Sequence, residues 1–484
     1  MNSLSNRRTS RGLIVPGALA GMLVAMGPVA STAAAADAPS TALQAGPISL
    51  QFGGFTALET AYRNKNEVAD IGSDFNTGIP FDYQTNAHQS EFRESARQSR
   101  LSLLAQGPEA DGMRASGYFE MDFLSAGVTS NSRESNSYTM RVRHIYGLLS
   151  GKDAGWYVLA GQTWSLATLY GPQLSPTSGT TPLTIDAQYV AGFNWTRNPQ
   201  IRIVKKFTDT ATVGVSIESP QAVIYTGCSG PSFCGSAPAL VNNNGAGSGL
   251  NNSTTTYSTD FAPDIIAKFA LDPGWGHYEL YGLGRGFRDR YPGTASGTND
   301  QAWGASVGAG AVLPLIGPKL LQLQLSGLYG NGIGRYGSAQ LPDYTLRPDG
   351  SIAIIRAAQG LAGLILRPNP AWTYYLYYGI EQAQRTAFAD STGKVGFGYG
   401  SPLYDNSGCD SLTGKSSSCI ANTRSIQQLA AGAWWKAYQG SIGNVQVGLQ
   451  YSYTDRTVFS GVGGAPSANI SMAFLSLRYY PYQR

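Results

Sequence analysis

The sequence predicts an all-β protein: a transmembrane antiparallel β-barrel of about 16 strands, with long extracellular loops and short periplasmic turns. Three features lead to this prediction. Apolar and polar residues alternate along most of the chain, short connections alternate with long ones, and no run after residue 36 approaches the ~18 apolar residues of a spanning helix. Charged residues make up only 13% of a chain with 60 glycines and 28 tyrosines, against about 25% in a typical soluble domain.

The first 36 residues are predicted to be a secretory signal peptide, because three arginines precede an apolar run that ends in small residues. Pro16 and Pro28 interrupt that run, which disfavours a spanning helix. Removing residues 1–36 takes away three positive charges, so the formal net charge of +4 falls to +1. A nearly neutral mature chain gives no support for nucleic-acid binding. Residues 37–47 are predicted to form a periplasmic linker before the barrel, which spans 48–484.

The alternation has the period of a strand with one apolar and one polar face. In MRASGYFEMDF (113–123) and VQVGLQYSYTDR (445–456), every second residue is apolar or small. Such segments run for roughly 10–14 residues, the length that a tilted strand needs to cross a bilayer. The alternative, a soluble β-sandwich, usually has strands of about 5–6 residues.

The connections alternate between tight turns and long loops, as expected when the turns face the periplasm and the loops face outside. Seven short turns and eight longer loops imply about sixteen strands. The loops cover approximately 64–95, 127–137, 166–198, 220–259, 291–300, 336–351, 387–424 and 457–468. Because lipid cannot hydrogen-bond an open sheet edge, the first strand, near 48–62, is expected to pair with the last, SMAFLSLRYYPYQR (471–484).

Several segments resemble the trimeric outer-membrane porins, and most closely the DcaP-like family. They are ARQSRLSLLAQG (96–107), YFEMDFLSAG (118–127), RVRHIYGLL (141–149), WYVLAGQTWS (156–165) and NPQIRI (198–203). The resemblance implies a sixteen-stranded barrel, a homotrimer in the bacterial outer membrane, and uptake of small, often carboxylated, solutes without a cofactor. It also implies contact with membrane lipid and lipopolysaccharide, and the aromatic final strand resembles the signal read by the barrel-assembly machinery.

The alternation places a set of charged side chains in the lumen, since an arginine on the lipid face would cost about 2–4 kcal/mol. Excess arginine in a narrow pore favours anions, and its planar fork suits carboxylates. The alternative is that these charges pair with one another and only hold the wall. Arg141 and Arg143 are the stronger selectivity candidates because their own strand carries no acid, whereas His144 is expected to point outward. The lumen set comprises Arg100, Arg114, Glu120, Asp122, Arg141, Arg143, Arg202, Glu279, Arg285, Glu381, Arg385, Arg456 and Arg478, and the first seven are the selectivity candidates.

The third long loop, 166–198, is predicted to fold into the barrel and narrow the pore, as the third loop of trimeric porins does. Its prolines and aromatic residues favour an ordered path. Asp186 and Arg197 are its predicted constriction charges. The alternative is an ordinary surface loop.

Four cysteines form two local pairs, Cys228 with Cys234 and Cys409 with Cys419, both in predicted external loops. Export through an oxidising compartment favours two loop-local disulfides. The closer Cys-x2-Cys or Cys/His spacing of a zinc site is absent, so no metal site is predicted.

These features predict a passive channel for small hydrophilic solutes with a preference for anionic, carboxylate-type ones. The nearest alternative is a non-selective or carbohydrate-preferring diffusion porin. A barrel hydrolase is a more distant one, because the chain has only three histidines, His88, His144 and His277, and none accompanies a nucleophile motif. The protein is therefore not expected to be an enzyme.

Overall fold

The computed structural model describes residues 42–124, 139–151, 154–225, 260–291, 298–389, 393, 396–412 and 419–482. The predicted signal peptide and the predicted Cys228–Cys234 pair lie outside these residues. Nearly all regular structure is strand, with short 3₁₀ turns at Thr85–His88, Pro172–Leu174 and Gly334–Tyr336. None of the described helical segments is long and apolar enough to cross a membrane.

The described residues form 23 strands. In chain order these are β1 (Ala42–Ala45), β2 (Ile48–Arg63), β3 (Glu91–Ser95), β4 (Arg100–Ala110), β5 (Met113–Asp122), β6 (Arg141–Gly151), β7 (Trp156–Trp164), β8 (Arg197–Lys206), β9 (Ala211–Glu218), β10 (Ile224–Tyr225), β11 (Asp264–Leu271), β12 (His277–Tyr291), β13 (Thr298–Ile316), β14 (Leu321–Asn331), β15 (Tyr344–Leu346), β16 (Ile352–Ile354), β17 (Arg356–Asn369), β18 (Trp372–Ala383), β19 (Thr386–Phe388), β20 (Phe397–Tyr399), β21 (Thr423–Gly440), β22 (Gly443–Val458) and β23 (Ser467–Tyr480).

Eighteen of these strands form one antiparallel sheet that closes on itself. Strands β3 and β4 both pair with β2 and together make one interrupted wall strand, and β1 is a short addition, so the wall has sixteen strands. Closure is the pairing of β2 with β23, from Thr56 opposite Tyr479 to Arg63 opposite Met472. The predicted barrel, its strand number and its pairing of first and last strands are confirmed. The physical reason is that closure leaves no wall strand with unpaired backbone groups in lipid.

The short strand β1 covers part of an edge that β23 does not reach. Strand β23 pairs with β2 only from Thr56 onward, whereas β1 pairs with Ile48–Gln51 of β2. Part of the predicted linker 37–47 is therefore a strand of the sheet, and it satisfies backbone groups that would otherwise be exposed.

The outer face of the wall is apolar, as the alternation predicts. Leu58, Leu101, Ile203, Leu280 and Leu477 are all more than 40% exposed in the isolated chain. Their neighbours along each strand point inward and are polar or packed against loops. A wall with this polarity buries its exposed apolar face only in lipid.

Loops fill a large part of the interior. We name L1 (residues 64–90), L3 (165–196), L6 (332–355) and L7 (384–422). Apolar side chains of these loops pack against inward-facing wall residues in one buried cluster. From the sequence, only the third loop was expected to lie inside the barrel. In the structure, L1, L6 and L7 also occupy the barrel interior.

Candidate functional site

Loop L3 lies inside the barrel, anchored to one side of the wall by backbone hydrogen bonds to wall side chains. The Gly192 amide donates to Glu381 Oε1 at 2.8 Å, and the Ala191 amide donates to Gln428 Oε1 at 2.9 Å. These acceptors face inward from β18 and β21. Polar lumen side chains therefore satisfy loop backbone groups that would otherwise be buried without partners.

The loop approaches this side of the wall so closely that only glycine fits. A Cβ on Gly379 would lie 1.7 Å from the Ala191 carbonyl oxygen. Gly192 has φ +83°, and a Cβ there would lie 2.1 Å from the Gly360 carbonyl oxygen. The two wall glycines and the loop glycine thus set the position of L3 relative to β17 and β18.

The wall of β5 and β6 carries a charged cluster. Arg141 Nη2 lies 2.7 Å from Asp122 Oδ2, and Arg143 bridges Glu120 Oε1 at 2.6 Å and Asp122 Oδ2 at 2.9 Å. The strand of Arg141 and Arg143 carries no acid, as the sequence shows, but the neighbouring strand β5 supplies Glu120 and Asp122 as partners, so the absence of an acid in β6 does not leave these arginines unpaired. Arg143 and Asp122 are both buried, and removing one member of such a pair typically costs about 3–5 kcal/mol, so Arg143 contributes to the stability of the wall.

Two further arginines border this cluster. Arg100 Nη1 lies 3.6 Å from Glu120 Oε1, and its guanidinium lies 5.3 Å from the centre of the Phe55 ring. Arg197 lies 4.8 Å from the centre of the Trp164 ring, and in the described part of the chain it has no carboxylate within ion-pair distance.

We call this set, Arg100, Glu120, Asp122, Arg141, Arg143 and Arg197, the arginine cluster. Four positive charges face two negative charges, a formal net charge of +2. Arg100, Arg141 and Arg197 are partly exposed, whereas Arg143 and Asp122 are buried. The cluster therefore carries an excess of positive charge on the inner face of the wall, beside L3.

The pKa of Tyr189 in L3 is sensitive to the positive charge of the arginine cluster. Arg143 Nη2 donates a hydrogen bond to the Tyr189 hydroxyl at 3.4 Å. Burial by itself raises the pKa of Tyr189, but Arg143, Arg100 and Arg197 outweigh burial and lower it to about 8. A phenol stabilised as an anion indicates a positive electrostatic environment between L3 and β6.

Arg114 and Arg202, two of the predicted lumen residues, lie away from this cluster. Arg114 pairs with Glu109 at 3.4 Å near the periplasmic turn, with both side chains more than 40% exposed, rather than with Glu120 or Asp122. Arg202 is fully buried, donates to the Trp164 carbonyl oxygen at 2.5 Å and lies against the Tyr170 ring.

Asp186, a predicted constriction charge, is fully buried between L3 and L1. It accepts hydrogen bonds from the amides of Ser73 at 3.1 Å and Gln188 at 2.9 Å. Burial raises its pKa above the usual range. Asp186 therefore fastens L1 to L3, while Arg197, the other predicted constriction charge, belongs to β8 rather than to the loop.

His144 points into the barrel, opposite to the predicted direction. The pairing of β5 with β6 slips by one residue, since Glu120 lies opposite His144 and Met121 lies opposite Val142. This bulge at Arg143 reverses the alternation, so that His144 Nδ1 lies 2.9 Å from Thr163 Oγ1 and the ring is buried.

The disulfide Cys409–Cys419 is present in L7, as predicted. The histidines contact groups other than serine: His88 a main-chain carbonyl of L1, His144 a threonine, and His277 two carboxylates. Among the described residues, no group of three or more histidine, cysteine, aspartate or glutamate side chains is arranged to hold a metal ion.

Glu59 shapes the lumen but was not singled out from the sequence, whereas Arg478 was assigned to the lumen by its parity. Arg478 pairs with Glu59 at 2.8 Å across the closure of the barrel and lies 4.5 Å from the centre of the Trp434 ring. Both charged residues have inward parity, which was the available signal. Their partnership depends on the register between the first and last strands, which the sequence does not display.

A closed sixteen-stranded antiparallel barrel with its third loop folded inside is the fold of the outer-membrane porins. No protein-family model and no curated protein matches this chain. Among solved structures, it is similar to the outer membrane channel DcaP of Acinetobacter baumannii, with TM-score 0.59 and 18% identity over 90% of this chain and 97% of that one. The resemblance to DcaP-like proteins is thereby confirmed at the level of the fold.

Two weaker similarities are to an anion-selective porin from Comamonas acidovorans and to OmpF of Salmonella typhi. The first has TM-score 0.46 and 12% identity over 90% of this chain and 99% of that chain. The second has TM-score 0.45 and 9% identity over 91% of this chain and 99% of that chain.

Proposed function

We propose that this protein is an outer-membrane porin, a water-filled channel for passive uptake of small hydrophilic solutes, with a preference for anionic, carboxylate-type ones. The porin fold and the apolar outer face support the channel and its location in the outer membrane. The net charge of +2 in the arginine cluster supports the anion preference.

The proposed mechanism is diffusion past L3, biased by the positive charge of the partly exposed residues Arg100, Arg141 and Arg197. Arg197 is the main candidate because no carboxylate neutralises it among the described residues. Arg100 and Arg141 are partly exposed on the same side, so a permeating carboxylate exchanges water for guanidinium contacts one after another. Guanidinium groups bind carboxylates with two parallel hydrogen bonds, which is why the carboxylate class is proposed.

The paired acids limit the strength of this preference. Glu120 and Asp122 neutralise half of the arginine cluster, so its potential favours passage over tight retention. We further propose that the chain assembles as a homotrimer, as the resemblance to trimeric porins implies. Each protomer encloses its own lumen, so one chain contains the complete arginine cluster.

The test is reconstitution of the purified protein in planar bilayers under a KCl gradient. We expect stepwise conductance and a reversal potential that indicates higher permeability for chloride than for potassium. Conductance with equal permeabilities would support the non-selective or carbohydrate-preferring porin instead. Cation preference, or no conductance from correctly folded protein, would contradict the proposal.

A further inference from the structure

Two aspartates face each other at the extracellular end of the β12–β13 hairpin. Asp289 and Asp300 are direct partners in the antiparallel register, two positions before the last pair of this ladder, Tyr291 with Thr298. Directly opposed side chains on neighbouring strands are about 5 Å apart at Cβ, and like charges there are destabilising. The repulsion is relieved if a proton or a cation binds to the pair.

The side chain of Arg290 lies outside the described residues, and the described arginines near the pair are engaged elsewhere. Neither aspartate has a lysine, arginine or histidine within 4.0 Å in the described part of the chain. Arg285, the nearest inward arginine along β12, is already engaged by Asp264 at 3.1 Å and Asp343 at 2.7 Å.

Other arginines of the surrounding elements are also engaged elsewhere. Arg335 contacts Gln221, Arg288 lies 5.2 Å from the centre of the Phe261 ring, and Arg347 lies 5.1 Å from the centre of the Phe388 ring. The adjoining sequences 226–259 and 292–297 contain no lysine, arginine or histidine at all.

The pair is enclosed, and its polar atoms are incompletely satisfied. Asp289 is only 1% exposed, and neither of its carboxylate oxygens has a hydrogen-bond partner among the described residues. Loop L6 covers the pair, since the Ile352 amide donates to Asp300 Oδ2 at 2.6 Å.

Independently of the acids, the hydroxyl of Tyr344 in β15 is fully buried and also lacks a partner in the described part of the chain. Burial, and then the carboxylates of Asp289, Asp260 and Asp343, raise the pKa of Tyr344. The centre of the Tyr344 ring lies 5.5 Å from that of Phe287, which precedes Asp289 by two residues on the same face of β12, so Tyr344 lies beside the pair. Buried polar atoms are almost always hydrogen-bonded in native proteins, so a water or an ion is the expected partner of these groups.

We infer that Asp289 and Asp300 bind a divalent cation, of the Ca²⁺ class, between the barrel wall and L6. Ca²⁺ takes six to eight oxygen ligands in flexible geometry and accepts carboxylates, main-chain carbonyls and waters. With two carboxylates rather than a cluster of three or more, the site belongs to the weak class with dissociation constants of about 10⁻⁴–10⁻³ M, which suits an extracellular surface. The bound ion joins β12 and β13 to L6 and replaces the missing positive charge. This inference does not depend on the proposed anion preference.

The experiment uses the full mature protein in detergent, stripped of divalent ions with EDTA. Tb³⁺ is titrated while tyrosine is excited, because Tyr344 is positioned to sensitise its emission. We expect saturable emission that Ca²⁺ displaces and Na⁺ does not. Asp289→Asn and Asp300→Asn should each weaken the apparent affinity for Tb³⁺ about tenfold or more, since each removes one of two charged ligands. In parallel, Ca²⁺ should raise the Tm of the wild-type protein and of neither variant.

The control is Asp349→Asn, which removes an exposed carboxylate from the same loop L6 without touching the pair. It should keep the Tb³⁺ affinity and the Ca²⁺-dependent rise in Tm. Asp300 is partly exposed, so Asp300→Asn decides the question if Asp289→Asn does not fold. The inference is overturned if the wild-type protein shows no saturable emission, if both pair variants keep it, or if Asp349→Asn loses it equally.

Discussion

Replacing Arg197 with glutamine is expected to weaken the anion preference of the channel without destabilising the barrel. Arg197 has no carboxylate partner within ion-pair distance in the described part of the chain, so the substitution leaves no acid unpaired. It lowers the formal charge of the arginine cluster from +2 to +1. By contrast, replacing Arg143 would remove a partner from both Glu120 and Asp122. A change in ion selectivity could then not be separated from an effect of destabilising the wall.

The magnitude follows from Coulomb's law in a water-filled lumen. A unit charge about 6 Å from a permeating ion contributes about 0.7 kcal/mol at the dielectric constant of water. Screening with a Debye length of about 10 Å reduces this to about 0.4 kcal/mol. The anion loses this attraction and the cation is relieved of the same repulsion, so the two differ by about 0.8 kcal/mol. The ratio of chloride to potassium permeability should therefore fall about fourfold.

The assay is the reversal potential of single channels in a KCl gradient, compared between wild type and Arg197→Gln. The matched control is the double variant Glu109→Gln with Arg114→Gln, which removes an exposed pair at the periplasmic turn without changing the net charge. It should leave the permeability ratio unchanged. An unaltered ratio in Arg197→Gln, or an equal change in the control, would refute the assignment of selectivity to the arginine cluster.

Three further predictions concern the loops inside the barrel. Burial raises the pKa of Glu67 in L1 to about 8. The folded protein therefore holds one more proton than the unfolded chain between about pH 4.5 and 8, and its free energy of unfolding decreases as pH rises through that window. Glu67→Gln should reduce the fall in Tm measured between pH 5 and 9. Replacing Cys409 and Cys419 with serine should destabilise L7 by about 2.5 kcal/mol through its short closed loop, and limited proteolysis should cleave L7 faster while the barrel stays folded. Gly379→Val should push L3 away from β18 toward the arginine cluster and so lower the single-channel conductance. Gly147→Ala is the control: an added Cβ there meets nothing within 4 Å, so the conductance should not change.

Each of these predictions has an outcome that contradicts it. A Tm that falls equally with pH in wild type and Glu67→Gln would show that another group controls the titration. Unchanged protease sensitivity of the cysteine variant would show that other contacts hold L7. Normal conductance in Gly379→Val would mean that L3 does not border the conducting path.

The wall of this protein was predictable from the sequence because its cause is local. Alternating side chains assign each strand residue to lipid or lumen, and the lengths of the connections assign each end of the strands to a side of the membrane. The prediction failed where the alternation is broken. The bulge at Arg143 turned His144 inward, and nothing in RVRHIYGLL distinguishes a bulged strand from a regular one.

The charged cluster was only partly predictable, because inward parity identifies the members but not their partners. Arg141 and Arg143 were correctly assigned to the lumen, yet their partners Glu120 and Asp122 come from a neighbouring strand. Asp186 was correctly assigned to the third loop, but its burial depends on L1, which lies more than 90 residues earlier in the chain. Cross-strand register and loop packing are long-range properties that a periodic pattern does not encode.

By itself, the sequence determined that this chain forms a closed barrel with an apolar outer face, since lipid permits no open sheet edge and tolerates few exposed charges. Only the tertiary structure decided how the lumen is filled. Glycines at 192 and 379 allow L3 to contact the wall on one side, and on the other side Arg197 has no carboxylate partner among the residues that the structure describes. The difference arises because membrane insertion constrains every strand residue separately, whereas the shape and charge of the passage depend on contacts between residues that are distant in the sequence.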